Sequence, residues 1–143
     1  SRGFVKPVRG YIFSRAFSGE RVPQHVQNLV IREYCKQNQL KYLLSATEYA
    51  MPGCHLILDQ VLIELPRLYG IVAYSLFQLP EDNTARAFVF DAVLSLGKTL
   101  HFAVEGLRVE NEKDVQRIES IEQVRKIVDG DYIHSDILMR MTP

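Results

Sequence analysis

Between Phe13 and Val26 the sequence gathers Ser14, Arg15, Ser18, Glu20, Arg21, Gln24 and His25 into one short stretch. Arginine forks match the oxygens of phosphates and carboxylates. The free N–H groups at a helix start favour an anion in the same place. Arg15 and Arg21 flank such a start, so an anion pocket for a sugar phosphate or nucleotide is expected here. The competing expectation is that both arginines pair with Glu20, Glu48 or Glu105 and only hold loops together.

Glu48 and Glu105 fall in later loops. Two carboxylates in unlike environments can be driven to opposite acid and base roles. Glu20, Glu48 and Glu105 are therefore the acid–base candidates, with Tyr49 assisting. Ser14, Arg15, Arg21, Gln24, His25, Ser75 and Gln78 are the expected substrate contacts. Ser14, Ser45 and Ser75 end strands, but none sits in a GxSxG elbow, so a nucleophilic serine is poorly supported. The histidines at 25, 55, 101 and 134 have no metal-ligand spacing. His101 alternates within a strand and reads as a packed residue. Neither GxGxxG nor the P-loop pattern occurs, so no metal and no cofactor is expected.

Alternating strands and helices must position these groups. Val8–Phe13 is a short apolar run suited to a buried strand. Ser18-Gly19-Glu20 is turn chemistry, and Pro23 suits the first turn of a helix. That helix runs to about Gln37 on Val26, Leu29, Val30 and Tyr34. A second strand is expected at Leu40–Ser45, then a loop over 46–53. Leu56–Leu65 is apolar nearly all round and reads as a mostly buried helix ended by Pro66. Gly70–Leu76 is the third strand. The next helix, capped by Asp82 or Asn83, carries Ala85, Phe88, Val89, Ala92, Val93 and Leu96 on its apolar face and stops at Gly97. Thr99–Val104 is the fourth strand. A final helix runs from Asn111 to about Val128, and Asp129-Gly130-Asp131 reads as a turn. The tail from Tyr132 is expected to add an edge strand or reach a second subunit.

This order predicts a three-layer α/β sandwich with a four- to five-stranded, mostly parallel sheet, resolvase-like or flavodoxin-like. Ligands in such sheets bind beyond the carboxyl ends of the strands, where all the candidates above would converge. The 143 residues suit a single domain, with 111–143 serving oligomerisation. Seventeen basic residues balance seventeen acidic ones, which argues against nucleic-acid and membrane-surface binding. Cys35 and Cys54 make neither a disulfide framework nor a zinc site. Without a signal-like segment or a spanning apolar run, the chain is expected in the cytoplasm.

Two resemblances bear on function. Gly10-Tyr11, the serine soon after, the glutamine-rich helix start, IVAYSLFQL and LGKTLHFAVEGL resemble, over roughly 8–107, the catalytic domain of serine recombinases (resolvases). That family uses an arginine, a nucleophilic serine, an Asp-Arg pair and a further arginine. Here those places hold Phe13, Arg15 (with Ser14 one residue early), Phe77-Gln78 and Glu81. The resemblance therefore implies the fold without strand exchange, and no DNA-binding helix-turn-helix follows. RGYIFSR, GERVPQHVQNLVIR, LLSATEYAM and YSLFQLP resemble the sporadic carbohydrate cluster proteins, a bacterial family encoded among surface-polysaccharide genes. That resemblance implies carbohydrate biosynthesis.

The leading expectation is a small homo-oligomeric enzyme acting on a sugar phosphate or nucleotide sugar, by isomerisation, epimerisation or elimination. The alternatives are a noncatalytic sugar-binding or assembly subunit, with its rim carboxylates tied up, and a degenerate recombinase-like nucleic-acid binder, which would need a basic face.

Overall fold

The computed structural model describes the backbone of residues 5–141 and side chains as far as 129. The chain divides between Glu110 and Asn111 into two compact units. The first holds β1 (Pro7–Phe13), α1 (Gln24–Gln37), β2 (Lys41–Glu48), α2 (Leu56–Glu64), β3 (Gly70–Ala73), α3 (Asn83–Ser95), β4 (Thr99–Phe102) and β5 (Leu107–Val109). The second is one helix, α4 (Glu112–Met141).

The five strands form one sheet in the order β2-β1-β3-β4-β5. The first four are parallel and β5 is antiparallel to β4. The expected α/β class with a mostly parallel sheet is what the chain adopts. β1 has neighbours on both sides, which is why its apolar run is so complete: Val8, Tyr11, Ile12 and Phe13 are all buried. Side chains alternate across a strand. Val8 and Ile12 join Ile31 and Cys35 of α1 in one cluster. Arg9 and Tyr11 turn the other way, toward Glu64 and the start of α2. Each large apolar side chain so buried contributes roughly 1.5–3 kcal/mol.

β1 and β2 slip register between Arg9 and Tyr11. Gly10 lies at the slip, where a Cβ would run into the Ser45 hydroxyl and the Tyr42 ring, so only glycine lets the strands approach. Arg9 bonds the Leu44 carbonyl at 2.7 Å beside this irregularity and reaches Glu64 at 2.8 Å.

Several sequence-based boundaries change. β2 continues through Glu48, so Glu48 ends a strand instead of lying in a loop. α2 is amphipathic, not mostly buried: Leu58, Val61 and Leu62 face inward while Leu56 and Ile63 are exposed. α1 buries Gln27, Ile31 and Cys35 and exposes Leu29. α3 buries Arg86, Val89, Phe90 and Val93, leaving Phe88 exposed. It is turned from the expected face because the Arg86 side chain folds in to bond the carbonyls of Pro80 and Glu81. β3 ends at Ala73 and β4 at Phe102, each short of its expected end.

In the second unit, Asn111 accepts the Asp114 amide at 3.0 Å, as expected of a cap. The expected turn at 129–131 is absent, since α4 runs through it to Met141. A helix interior tolerates one glycine at a cost of about 1 kcal/mol, less than is lost by breaking a long helix in two. The expected edge strand in the tail is likewise replaced by helix as far as Met141; Thr142 and Pro143 lie outside the described residues. Among the described residues no helix is long and apolar enough to cross a membrane.

Candidate functional site

Parallel strands end together, so the groups after β1, β2, β3 and β4 collect on one edge of the sheet. The hydroxyl of Ser14, just past β1, donates to the Glu48 carbonyl at 2.7 Å. Arg15 lies over the Phe13 ring, 4.0 Å from its centroid, and donates to the Tyr49 carbonyl at 2.6 Å. Arg21 is exposed and makes a long contact of 3.5 Å to the Ser14 carbonyl. Ser18 and Gly19 both have positive φ, 50° and 76°. They form the two-residue turn of a tiny hairpin closed by Phe17 and Glu20, as a tight hairpin requires. Glu20, Gln24 and His25 stand exposed beside it.

Glu48 is completely buried. Its carboxylate accepts the Tyr11 hydroxyl at 2.8 Å and the amides of Tyr49, Ile57 and Leu58 at 3.0–3.1 Å. Two of those amides open α2, where a negative charge is favoured. Burial alone would lift the carboxyl's pKa; the amide and hydroxyl donors outweigh it and hold it below its usual value. Burial and the neighbouring Glu48 charge push the Tyr11 phenol up. Tyr49 itself is half exposed.

A second group forms after β3 and β4. Glu105 accepts the Ser75 hydroxyl at 2.8 Å and the Leu76 amide at 2.9 Å. Ser75 caps the short 3-10 turn Leu76–Gln78, and the Gln78 side chain returns to the Ser75 amide. Gln78 is fully buried and donates to Gln27 at 2.9 Å. Gln27 in turn holds both the amide and the carbonyl of Phe13. This amide pair ties the ends of β1 and β3 to α1.

The edge also carries a cavity of about 800 Å³. Its walls include Phe13, Arg15, Phe17, His55, Phe77 and Phe88, with Asp59, Glu81 and Asp82 on the margin. The structure thus brings Ser14, Arg15, Arg21, Glu48 and Tyr49 together, and Ser75, Gln78 and Glu105 together. Of these, Arg15 lines the cavity. Glu48 and Glu105 do not share a partner; each is held by its own set of donors. Sequence reasoning missed Gln27 as the central tie, His55, whose Nε2 lies 3.1 Å from the Gln78 carbonyl, and Arg86, only 1% exposed. The partners of Gln27 and His55 lie in other elements or on the backbone, and Arg86 turns back to the Pro80 and Glu81 carbonyls and the Asn83 side chain. Among the described residues no group of three or more His, Cys, Asp or Glu side chains could hold a metal ion.

A scan against protein-family models found no match. A search of curated proteins also found none. Solved structures do match. A resolvase family site-specific recombinase from Streptococcus pneumoniae superposes with a TM-score of 0.61 at 7% identity, covering 94% of this chain and 99% of that one. The N-terminal catalytic domain of TP901-1 integrase gives 0.54 at 10% identity, covering 87% and 98%. The fold is resolvase-like. The expected likeness to sporadic carbohydrate cluster proteins finds no support in these comparisons. The expected partners, a sugar phosphate or nucleotide sugar with nucleic acid disfavoured, are corrected as well: the matching domains are recombinases. The balance of seventeen basic and seventeen acidic residues is a total over the chain and does not describe how charge is distributed on it.

Proposed function

We propose that this chain is a cytoplasmic recombinase-like domain that binds nucleic acid and has given up strand exchange. One observation carries the reading. Phe13, Arg15, Phe77 and Glu81, which occupy the places of the recombinase first arginine, nucleophile, aspartate and last arginine, all line the same cavity. Their shared lining supports the correspondence drawn from the sequence resemblance; Gln78, set against the remaining arginine, is buried outside that lining. Where the resemblance sets arginines, a nucleophilic serine and an aspartate, this chain offers two phenylalanines, Arg15 and a carboxylate. Ser14, one residue before the nucleophile's place, donates its hydroxyl to the Glu48 carbonyl, and the serine that lines the cavity is Ser18. The resolvase-like fold supports a DNA-related role; the lost constellation supports binding without cleavage.

Fluorescence anisotropy with a labelled duplex tests the reading. Binding that weakens steeply between 50 and 200 mM salt is expected, with a Kd on the order of 10⁻⁴–10⁻⁶ M near physiological salt. No covalent protein–DNA adduct should form. Absence of binding at low salt, or an adduct on Ser14, would refute it. We also propose that α4 serves self-association, since Val124, Ile127 and Val128 are exposed at helical spacing. A monomer by light scattering at high concentration would remove that idea.

A further inference from the structure

We infer that nucleic acid meets the amino-terminal edge of the sheet, opposite the aromatic cavity, through a row of lysines and one arginine. This deepens the nucleic-acid reading above and rests on it.

The row follows from topology. Lys41 opens β2, Lys6 immediately precedes β1, Arg67 ends the 3-10 turn before β3, and Lys98 immediately precedes β4. Backbone bonds fix their order. The Lys41 amide donates to the Lys6 carbonyl at 2.9 Å, and the Tyr69 amide donates to the Pro7 carbonyl at 2.7 Å. Gly70 pairs with Thr99, placing Lys98 next in line. Lys36, in the last turn of α1, adds a fifth cation at this end. Lys6 is held over the Tyr69 ring, 5.3 Å from its centroid, and Lys36, Lys41 and Arg67 are exposed.

Spacing and sign both suit a phosphodiester backbone. Four strands about 4.8 Å apart span roughly 14 Å, about four steps of 3.4 Å along the axis of a duplex. Of the nearby carboxylates, Glu64 is matched by Arg9 at 2.8 Å and Glu110 by Arg108 at 3.3 Å, while Glu33 accepts from Gln37 at 3.1 Å. At the opposite edge Glu20, Glu48, Asp59, Glu81, Asp82 and Glu105 outnumber Arg15, Arg21 and Arg86, so a polyanion is repelled from the cavity and drawn to the lysines. Lys36, Arg67 and Lys98 also follow helix ends, where a cation complements the dipole. Lys6 and Lys41 open strands and serve no helix end.

The experiment measures the salt dependence of duplex binding by anisotropy for the unaltered protein, a Lys6→Gln/Lys41→Gln variant and an Arg15→Gln variant. Losing two phosphate contacts should reduce the slope of log K against log salt by about 1.8; loss of binding in Arg15→Gln with no loss in the lysine variant would put the duplex at the cavity and overturn the inference. Should the first variant fail to fold, Lys36→Gln/Lys98→Gln reads the same face. Unchanged affinity and slope in the lysine variants would overturn the inference but leave nucleic-acid binding standing. Absence of duplex binding by the unaltered protein would overturn both. Equal binding of poly-glutamate would also overturn it, pointing to an acidic protein partner.

Discussion

Replacing Glu48 by glutamine removes one charge and changes little else in shape. In the native site one carboxylate oxygen takes the Tyr49 and Ile57 amides, and the other takes the Tyr11 hydroxyl and the Leu58 amide. A glutamine keeps one oxygen and turns an NH₂ group on the other pair. The Tyr11 hydroxyl can rotate and accept from it; the Leu58 amide cannot. An orphaned buried amide costs about 1–3 kcal/mol, and the surviving bonds lose roughly half their strength without the charge. A destabilisation of about 3 kcal/mol follows, a fall in Tm of roughly 10 °C for a chain of this size. The difference should also depend on pH. The Glu48 pKa is lowered from its ordinary 4.5, so its contribution is complete above that pH and is lost as pH falls through the folded value. Urea unfolding followed by circular dichroism, at neutral pH and at stepped pH below 4.5, measures both effects. A variant within about 0.5 kcal/mol of the parent at neutral pH, the range of ordinary surface substitutions, would refute the account. So would a difference that fails to narrow on acidification.

His101 is buried between Tyr34 and Thr99, 2.7 and 2.9 Å from their oxygens. Burial, then the nearby Arg108 charge, bring its pKa down from 6.5 to about 4. The unfolded chain takes up this proton first, so stability should fall by roughly 3 kcal/mol between about pH 6.5 and 4 and then level off. An imidazole NMR titration with a midpoint near 6.5 would contradict this. Gln27→Leu should leave both Phe13 backbone groups and the Gln78 amide without their partner, at a cost of about 4 kcal/mol. A loss under about 1 kcal/mol, typical of an average substitution, would mean the amide pair holds nothing. Burial pushes the Cys35 thiol up to about 11, so a thiol reagent should modify Cys54 in the native protein and reach Cys35 only on unfolding. Equal labelling rates would count against that.

Where an element's signal is local, the sequence reveals it. Tyr11-Ile12-Phe13 announces a central strand because every side chain there is buried. The strand–helix alternation leads directly to a parallel sheet with polar groups on its carboxyl edge. Glu48 was misplaced because its burial depends on amides at 57 and 58, beyond a loop that gives no hint of its path. The rotation of α3 was invisible because hydropathy treats Arg86 as a surface residue, whereas its guanidinium turns back to the Pro80 and Glu81 carbonyls just before the helix. β5 has three residues, too few for any periodicity. The candidate carboxylates could be located but not their tethering, since the donors that occupy them come from other elements. Net charge was a weak guide, because a total of zero says nothing of where the seventeen basic and seventeen acidic side chains lie.

The Gln27–Gln78 strap gives the aromatic cavity two unequal sides. Phe13 is pinned through both of its backbone groups, and the turn bearing Phe77 is anchored to the same amides. The opposite lip is the Phe17–Glu20 hairpin, closed by a single pair of backbone bonds, with the Phe17 ring edge-on to Phe13 and Tyr74 and its tip at Ser18 and Gly19 exposed. A guest entering there would find one jaw fixed and one free to adjust, so differences in guest size should be absorbed at Ser18 and Gly19, leaving the sheet undisturbed.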